Sequence, residues 1–207
     1  MQWRWVQHTG ANDLIVVFGG WALGPAPFVH LTGTYDVVLA NDFSDLNQEL
    51  PDVSAYQSVT LIAFSFGVAA YGHWQQGRPD PFTKKVAING TLTPIDRRCG
   101  IAPVVMQRTI DTLSHEAFQV FLERCYNARQ SDTPIDIALR KQELRAVQAR
   151  GTAPEVSFDR VWISDQDRIF LSANQKRAWA DQVERVQNID APHVPFKRWS
   201  TWAEVLA

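Results

Sequence analysis

Cysteine is scarce in this chain: 207 residues hold two, Cys99 and Cys125. Two cysteines build no disulfide framework, and their separation matches no metal-ligand spacing. They fit a reducing compartment, so a cytoplasmic location is expected. Long apolar runs are also missing. None approaches the roughly 20 residues that a membrane span needs, and Met1-Gln2-Trp3-Arg4-Trp5 lacks the apolar core of a signal peptide. No membrane association is expected. Neither sign of charge dominates: 20 Lys and Arg against 22 Asp and Glu give a formal charge of -2, which gives no general basic character for nucleic acid. There is no H-E-x-x-H and no paired Cys/His cluster, so neither metal nor cofactor is expected. Gly19-Gly20-Trp21-Ala22-Leu23-Gly24 fails G-x-G-x-x-G at its third position, and no Gly-Lys-Ser/Thr follows, which leaves a phosphate cradle as a minor alternative.

What remains is an ordinary globular composition, 45% hydrophobic and 20% charged. A chain of this length buries roughly 70% of its extended surface on folding, and one domain over residues 1–207 is expected. The eight tryptophans suit core packing, or an apolar pocket. Leu14–Phe18, Tyr35–Leu39, Val59–Phe64, Lys85–Asn89 and Arg160–Ser164 read as strands. The continuous apolar run Leu14–Phe18, bounded by Asn12-Asp13 and Gly19-Gly20, is the pattern of a parallel strand buried on both faces. Phe43–Leu50 reads as a short helix ended by Pro51, and Gly67–Gln76 as the helix after the third strand. Between Thr91 and Gly151 only helices are expected, over Pro103–Leu113, Ser114–Arg129 and Ile135–Arg150. This insertion, about residues 92–155, reads as a small helical lid or as peripheral helices of one core. A helix over Ser172–Val183, a short strand over Val186–Ile189 and a helix over Arg198–Leu206 complete the pattern. Strands alternating with helices predict an α/β fold with a mostly parallel sheet and helices on both faces.

The chemistry is organised around Ala63-Phe64-Ser65-Phe66-Gly67. An apolar strand ends at Ser65 and a helix begins just after it, the outline of a nucleophile elbow with alanine in place of the first glycine. Such a serine needs a base, and the base needs an orienting carboxylate. Of five histidines, His8 precedes the first strand and His73 lies roughly 12 Å along the helix from Ser65. His30 borders the first glycine turn and His115 starts a helix of the insertion. Only His193 sits in a late loop after a strand, where an open α/β sheet places its reactive groups. Asp165 and Asp167 both follow the Arg160–Ser164 strand. Asp167 is favoured because it opens the run into the next helix, and Asp165 is the alternative. The order Ser, Asp, His is that of α/β-hydrolases. The backbone N–H groups of Phe66 and Trp21 are placed to form an oxyanion hole.

Phe18–Gly24, Phe64–Val68, Ile88–Asp96 with Gly100–Pro103, Asp165–Phe170 and Pro192–Phe196 together resemble the BioG-type pimeloyl-[acyl-carrier protein] methyl ester esterases, over about residues 3–202. The Asn89-Gly90-Thr91-x-x-Pro94-Ile95-Asp96 stretch is the most specific element. The resemblance implies an α/β-hydrolase fold and hydrolysis of the methyl ester of pimeloyl-[acyl-carrier protein] in biotin synthesis. It implies Ser65 as nucleophile, His193 as base, Asp167 as orienting acid, and Trp21 and Phe66 at the oxyanion hole.

The implied partner is acidic, so a locally basic surface is expected on the enzyme. The insertion carries Arg97, Arg98, Arg108, Arg124, Arg129, Arg140, Lys141, Arg145 and Arg150; Arg97, Arg98, Arg108 and Arg145 are the named docking candidates. A mixed-charge solvated face is the plainer reading of any one of them. The other functional readings are a general carboxylesterase or thioesterase acting on small acyl substrates, and a hydrolase-like binding protein without catalysis.

Overall fold

The computed structural model describes residues 1–207. Its centre is a seven-stranded sheet: β1 Gln2–Gln7, β2 Asp13–Phe18, β3 Tyr35–Asn41, β4 Ser58–Phe64, β5 Lys84–Ile88, β6 Arg160–Ser164 and β7 Val186–Ile189, in the spatial order β1-β3-β2-β4-β5-β6-β7. All neighbours are parallel except β1, which pairs antiparallel with β3. The helices are α1 Phe66–Gln75, α2 Pro103–Thr112, α3 His115–Tyr126, α4 Ile137–Arg150, α5 Ser172–Ala178 and α6 Trp202–Leu206. The order reverses beside β2, and the carboxyl ends of β4, β6 and β7 converge on one edge, where an open sheet leaves its crevice.

Side chains alternate across a strand, so each strand feeds two cores. Leu14, Val16, Phe18, Leu61, Ala63 and Ala87 join one apolar cluster with residues of α1 to α4. Ile15, Val17, Ile62, Phe64, Val86 and Ile88 join the other with Phe28, Phe196, Trp199 and Trp202. Helices therefore cover both faces, but unequally: behind the sheet stand α6, the short turn Phe196–Arg198, the end of α3 at Cys125 and flanking loops. No helix is long and apolar enough to cross a membrane.

The strand β1 was not expected. Its residues are mostly exposed or half-buried, so the apolar signal of a central strand is absent at this edge. Trp3 anchors it, packing edge-on to Phe18 and Trp74 and donating to the Glu49 carbonyl at 2.7 Å. The expected helix over Phe43–Leu50 does not form. Asp42 accepts from the Ser44 N–H and hydroxyl, and Asp45 from the Asn47 N–H, local bonds that compete with helix. The carbonyls of this stretch are claimed from outside, Phe43 by Arg150, Gln48 by Trp74 and Glu49 by Trp3. The expected helix over Ser172–Val183 divides at Trp179, and that over Arg198–Leu206 shortens to α6 behind a Thr201–Glu204 capping box.

Three helices, α2, α3 and α4, lie between β5 and β6 and no strand interrupts them. Ser114 caps α3 by accepting from the Ala117 N–H, and Asp136 caps α4 by accepting from the Leu139 N–H.

Candidate active site

The turn from β4 into α1 is strained. Ser65 has φ 59 and ψ -127, a region that costs a non-glycine residue on the order of 1–3 kcal/mol. It is held there by its N–H on the Ile88 carbonyl at 2.9 Å and its carbonyl under the Val68 N–H at 3.1 Å. The two small positions of the motif are not equivalent. Ala63 sits within β4 with its methyl in the core. A Cβ on Gly67 would lie 2.1 Å from the Phe18 carbonyl oxygen, so the backbone crossing itself demands glycine there.

The conformation presents the Ser65 hydroxyl to His193, with Oγ 3.0 Å from Nε2. The His193 Nδ1 lies 2.8 Å from Asp167 Oδ2. That contact places the ring proton on Nδ1 and leaves Nε2 free to accept from the serine. Asp167 is saturated: Oδ1 takes the N–H groups of Ile169 and Phe170 at 2.8 and 2.9 Å, and Oδ2 also takes Gln175 Nε2 at 3.0 Å. His193 is 1% exposed, Asp167 4% and Ser65 5%. The imidazole is flanked by Phe64 and Phe170, which fix its plane.

Asp165 is elsewhere. It is exposed and meets Lys176 and Ser172 at 3.1 and 3.3 Å. The other histidines are also accounted for: His30 faces the carbonyls of Phe196 and Trp199, His8 meets Asp36, His115 meets Asp132, and burial lowers the pKa of His73 beside the Gly151 carbonyl. Cys125 is buried and its thiol is pushed well up by that burial, so it holds no reactive thiolate.

The N–H groups of Trp21 and Phe66 donate to no protein acceptor. Both residues border, with Ser65, a cavity of about 440 Å³ lined mainly by apolar side chains of the three inserted helices, among them Met106, Phe121 and Leu144. Trp21 is fixed by its indole N–H on the Arg140 carbonyl at 3.1 Å and by edge contacts with Phe118 and Phe121. Two free N–H donors beside the Ser65 hydroxyl, at the mouth of an apolar cavity, have the arrangement that can hold a developing oxyanion on an acyl group.

The insertion also touches the loops behind the site. The Cys125 carbonyl at the end of α3 accepts from the Val194 N–H at 2.9 Å, and Asn127 Nδ2 donates to the Gln166 carbonyl at 3.1 Å.

Of the four named arginines, Arg108 lines the cavity; Arg97, Arg98 and Arg145 are exposed and do not line it. Arg124 and Arg168 stand with Arg108 at its wall. Arg168 was missed in the sequence, although its place directly after Asp167 was a usable signal. Arg140 is engaged with Asp42 and Glu143, and Arg150 with the Phe43 carbonyl, so both serve to fasten α4. Asn89 and Gln175 were also missed as supports of the site. The Ile88–Asp96 stretch is a tight exit from β5. Asp96 Oδ1 accepts from the Arg98 and Cys99 N–H groups, which hold its carboxyl below the usual range, and the loop delivers Ile101 to the cavity wall.

Residues 1–205 match the model of the family described as pimeloyl-ACP methyl esterase BioG. The chain belongs to this family. Among solved structures, BioG from Haemophilus influenzae superimposes with a TM-score of 0.88 at 28% identity, over 100% of both chains. A Bacteroides fragilis protein described as malonyl-[acyl-carrier protein] O-methyltransferase is 29% identical over 199 residues, covering 90% of this chain and 40% of that protein. The BioG-family chain thus spans well under half of that relative. A lipase-esterase related protein from Clostridium acetobutylicum shares the fold alone, with a TM-score of 0.63 at 12% identity over 100% of this chain and 99% of that one. The architecture of this BioG-family chain is the α/β-hydrolase fold, as its mostly parallel sheet and strand–elbow–helix unit require.

Proposed function

We propose that the chain is a serine esterase that hydrolyses the methyl ester of pimeloyl-[acyl-carrier protein] to the free carboxylate and methanol. The observation that carries this reading is the alignment of Ser65, His193 and Asp167 beneath an apolar cavity, in a member of the BioG family. Ser65 Oγ attacks the ester carbonyl while His193 Nε2 takes its proton. Asp167 faces the imidazolium that forms, and the Trp21 and Phe66 N–H groups receive the oxyanion. Methanol leaves with the proton from His193. Water, activated by the same nitrogen, then releases the acyl group.

The apolar wall suits the methylene chain, and Arg108, Arg124 and Arg168 suit an acidic carrier at the mouth. The test is mass spectrometry of the purified protein with pimeloyl-[acyl-carrier protein] methyl ester, beside a free methyl ester of the same acyl group. Loss of the methyl group from the carrier-linked ester, abolished in Ser65→Ala, is expected. An unchanged carrier-linked ester with a folded protein overturns the reading, and faster turnover of the free ester favours a general carboxylesterase. Charge reversal at the three arginines together is expected to raise KM for the carrier-linked ester and flatten its salt dependence while sparing the free ester. An unchanged salt profile refutes carrier docking at this rim.

A further inference from the structure

Asn89 leaves β5 with φ 48 and is fully buried. Its side chain ties three elements together. Nδ2 donates to the His193 carbonyl and to Ser164 Oγ, each at 2.7 Å, and Oδ1 accepts from the Ser164 N–H at 2.7 Å. The partners fix the orientation of the amide: a backbone N–H can only meet the oxygen, and a carbonyl can only meet the nitrogen. On either side of Asn89 the chain meets the serine instead. The Ile88 carbonyl accepts from the Ser65 N–H, and a Cβ on Gly90 would lie 2.2 Å from the Ser65 carbonyl oxygen. Gly90 is held in turn by the Trp179 indole N–H on its carbonyl at 3.0 Å. Three consecutive residues thus touch the backbone of Ser65 on one side and of His193 on the other.

We infer that Asn89 is a positioning residue for His193, and that the Ile88-Asn89-Gly90 segment sets the separation of Ser65 Oγ from His193 Nε2. The inference rests on the reading of Ser65 and His193 as nucleophile and base. The His193 peptide is held on both sides, its carbonyl by Asn89 and the next N–H by the Cys125 carbonyl, while Asp167, Phe64 and Phe170 hold the ring. Without the Asn89 amide, His193 loses the bond that fixes its own peptide, while Asp167 and Ser65 stay anchored through their own backbones. A shift of that peptide carries the imidazole with it and lengthens the Nε2–Oγ approach, although Asp167, Phe64 and Phe170 still hold the ring.

The experiment uses the full chain with Asn89→Asp, which keeps shape and an acceptor for the Ser164 N–H but removes the donor to His193, and Asn89→Ser, which removes the amide altogether. Val86→Ala, buried in the same strand away from Ser65 and His193, controls for lost stability. The readouts are the rate at which a fluorophosphonate labels Ser65, kcat and KM on a free methyl ester, and the downfield proton resonance of the His193–Asp167 hydrogen bond. All are measured below each variant's melting temperature. A misplacement of about 1 Å costs on the order of 10²-fold, so labelling rate and kcat are expected to fall by about 10- to 100-fold in either folded Asn89 variant. KM stays within about twofold, and the proton resonance shifts or broadens. Val86→Ala is expected to lower the melting temperature and leave labelling rate and resonance unchanged. Wild-type labelling and an unshifted resonance in a folded Asn89 variant overturn the positioning role alone. A wild-type chain that takes no label overturns the reading of Ser65, and this inference with it.

Discussion

Replacing Gly67 with alanine tests whether the elbow's geometry, rather than its sequence pattern, makes the site. The new Cβ would stand 2.1 Å from the Phe18 carbonyl oxygen, 2.6 Å from its carbon and 2.7 Å from the Gly19 carbonyl oxygen. All three atoms are backbone, so no rotamer change relieves the contact. Ordinary carbon–oxygen approach needs over 3 Å, so α1 and the end of β2 must separate by about 1 Å. Overpacking of this kind typically costs about 1–3 kcal/mol. The separation also falls between the two proposed oxyanion donors, because Phe66 travels with α1 and Trp21 with the turn after β2. Losing one such donor costs roughly 10²–10³ in turnover. Gly67→Ala is therefore expected to fold with a lowered melting temperature and to lose at least about 10²-fold in kcat. Ala63→Gly, which restores the usual motif, is expected to leave kcat nearly unchanged and to lose about 0.5–1 kcal/mol of stability through a glycine in mid-strand. The assay is steady-state hydrolysis of a free methyl ester, with circular dichroism melting on the same samples. A folded Gly67→Ala protein with wild-type kcat refutes the argument, and so does a collapse of activity in Ala63→Gly.

Two further substitutions probe the acids. Asp167→Asn is expected to reduce kcat by roughly 10⁴, the size seen for the orienting aspartate of a serine protease. Asp165→Asn, which touches only Lys176 and Ser172, is expected to leave kcat nearly unchanged; equal losses in the two variants would contradict the assignment. Glu143, on α4, is buried against the Phe43 N–H and the Arg140 guanidinium, and its pKa is raised from 4.5 to about 7 because its burial outweighs the pull of that guanidinium. The folded chain favours the neutral carboxyl, so this contribution is full below pH 4.5 and is lost as pH rises through about 7. Wild type should therefore lose on the order of 3 kcal/mol relative to Glu143→Gln over that interval. Urea unfolding of both proteins at about pH 4.5 and about pH 8 reads the difference, and parallel pH profiles would refute it.

The central strands were legible because they are buried on both faces: Leu14–Phe18 and Val59–Phe64 are nearly unbroken apolar runs bounded by turn residues. β1 was not legible, since an edge strand keeps one side in water and its pairing partner is about 35 residues away. The false helix at Phe43–Leu50 had the right composition, but its backbone is satisfied by Trp3, Trp74 and Arg150, partners that no local window contains. The three residues that meet in the site were reached from chain order and from the rule that reactive groups gather at strand ends. The supports were beyond that rule. Asn89 lies 104 positions from the carbonyl it holds, and Gln175 reads locally as one more polar residue on a helix.

The attachment of α3 to both loops gives the insertion a mechanical meaning. A cover hinged at its two ends would swing away and leave the serine machinery as it was. Here the helix that walls the cavity is fastened, through Cys125 and Asn127, to the residues next to His193 and next to Asp167. A displacement of α3 is therefore felt in the loops that carry His193 and Asp167. On the proposed reading, the wall of the cavity and the loops of the triad share one set of bonds, so the cavity cannot be reshaped at α3 without straining the ties to both loops.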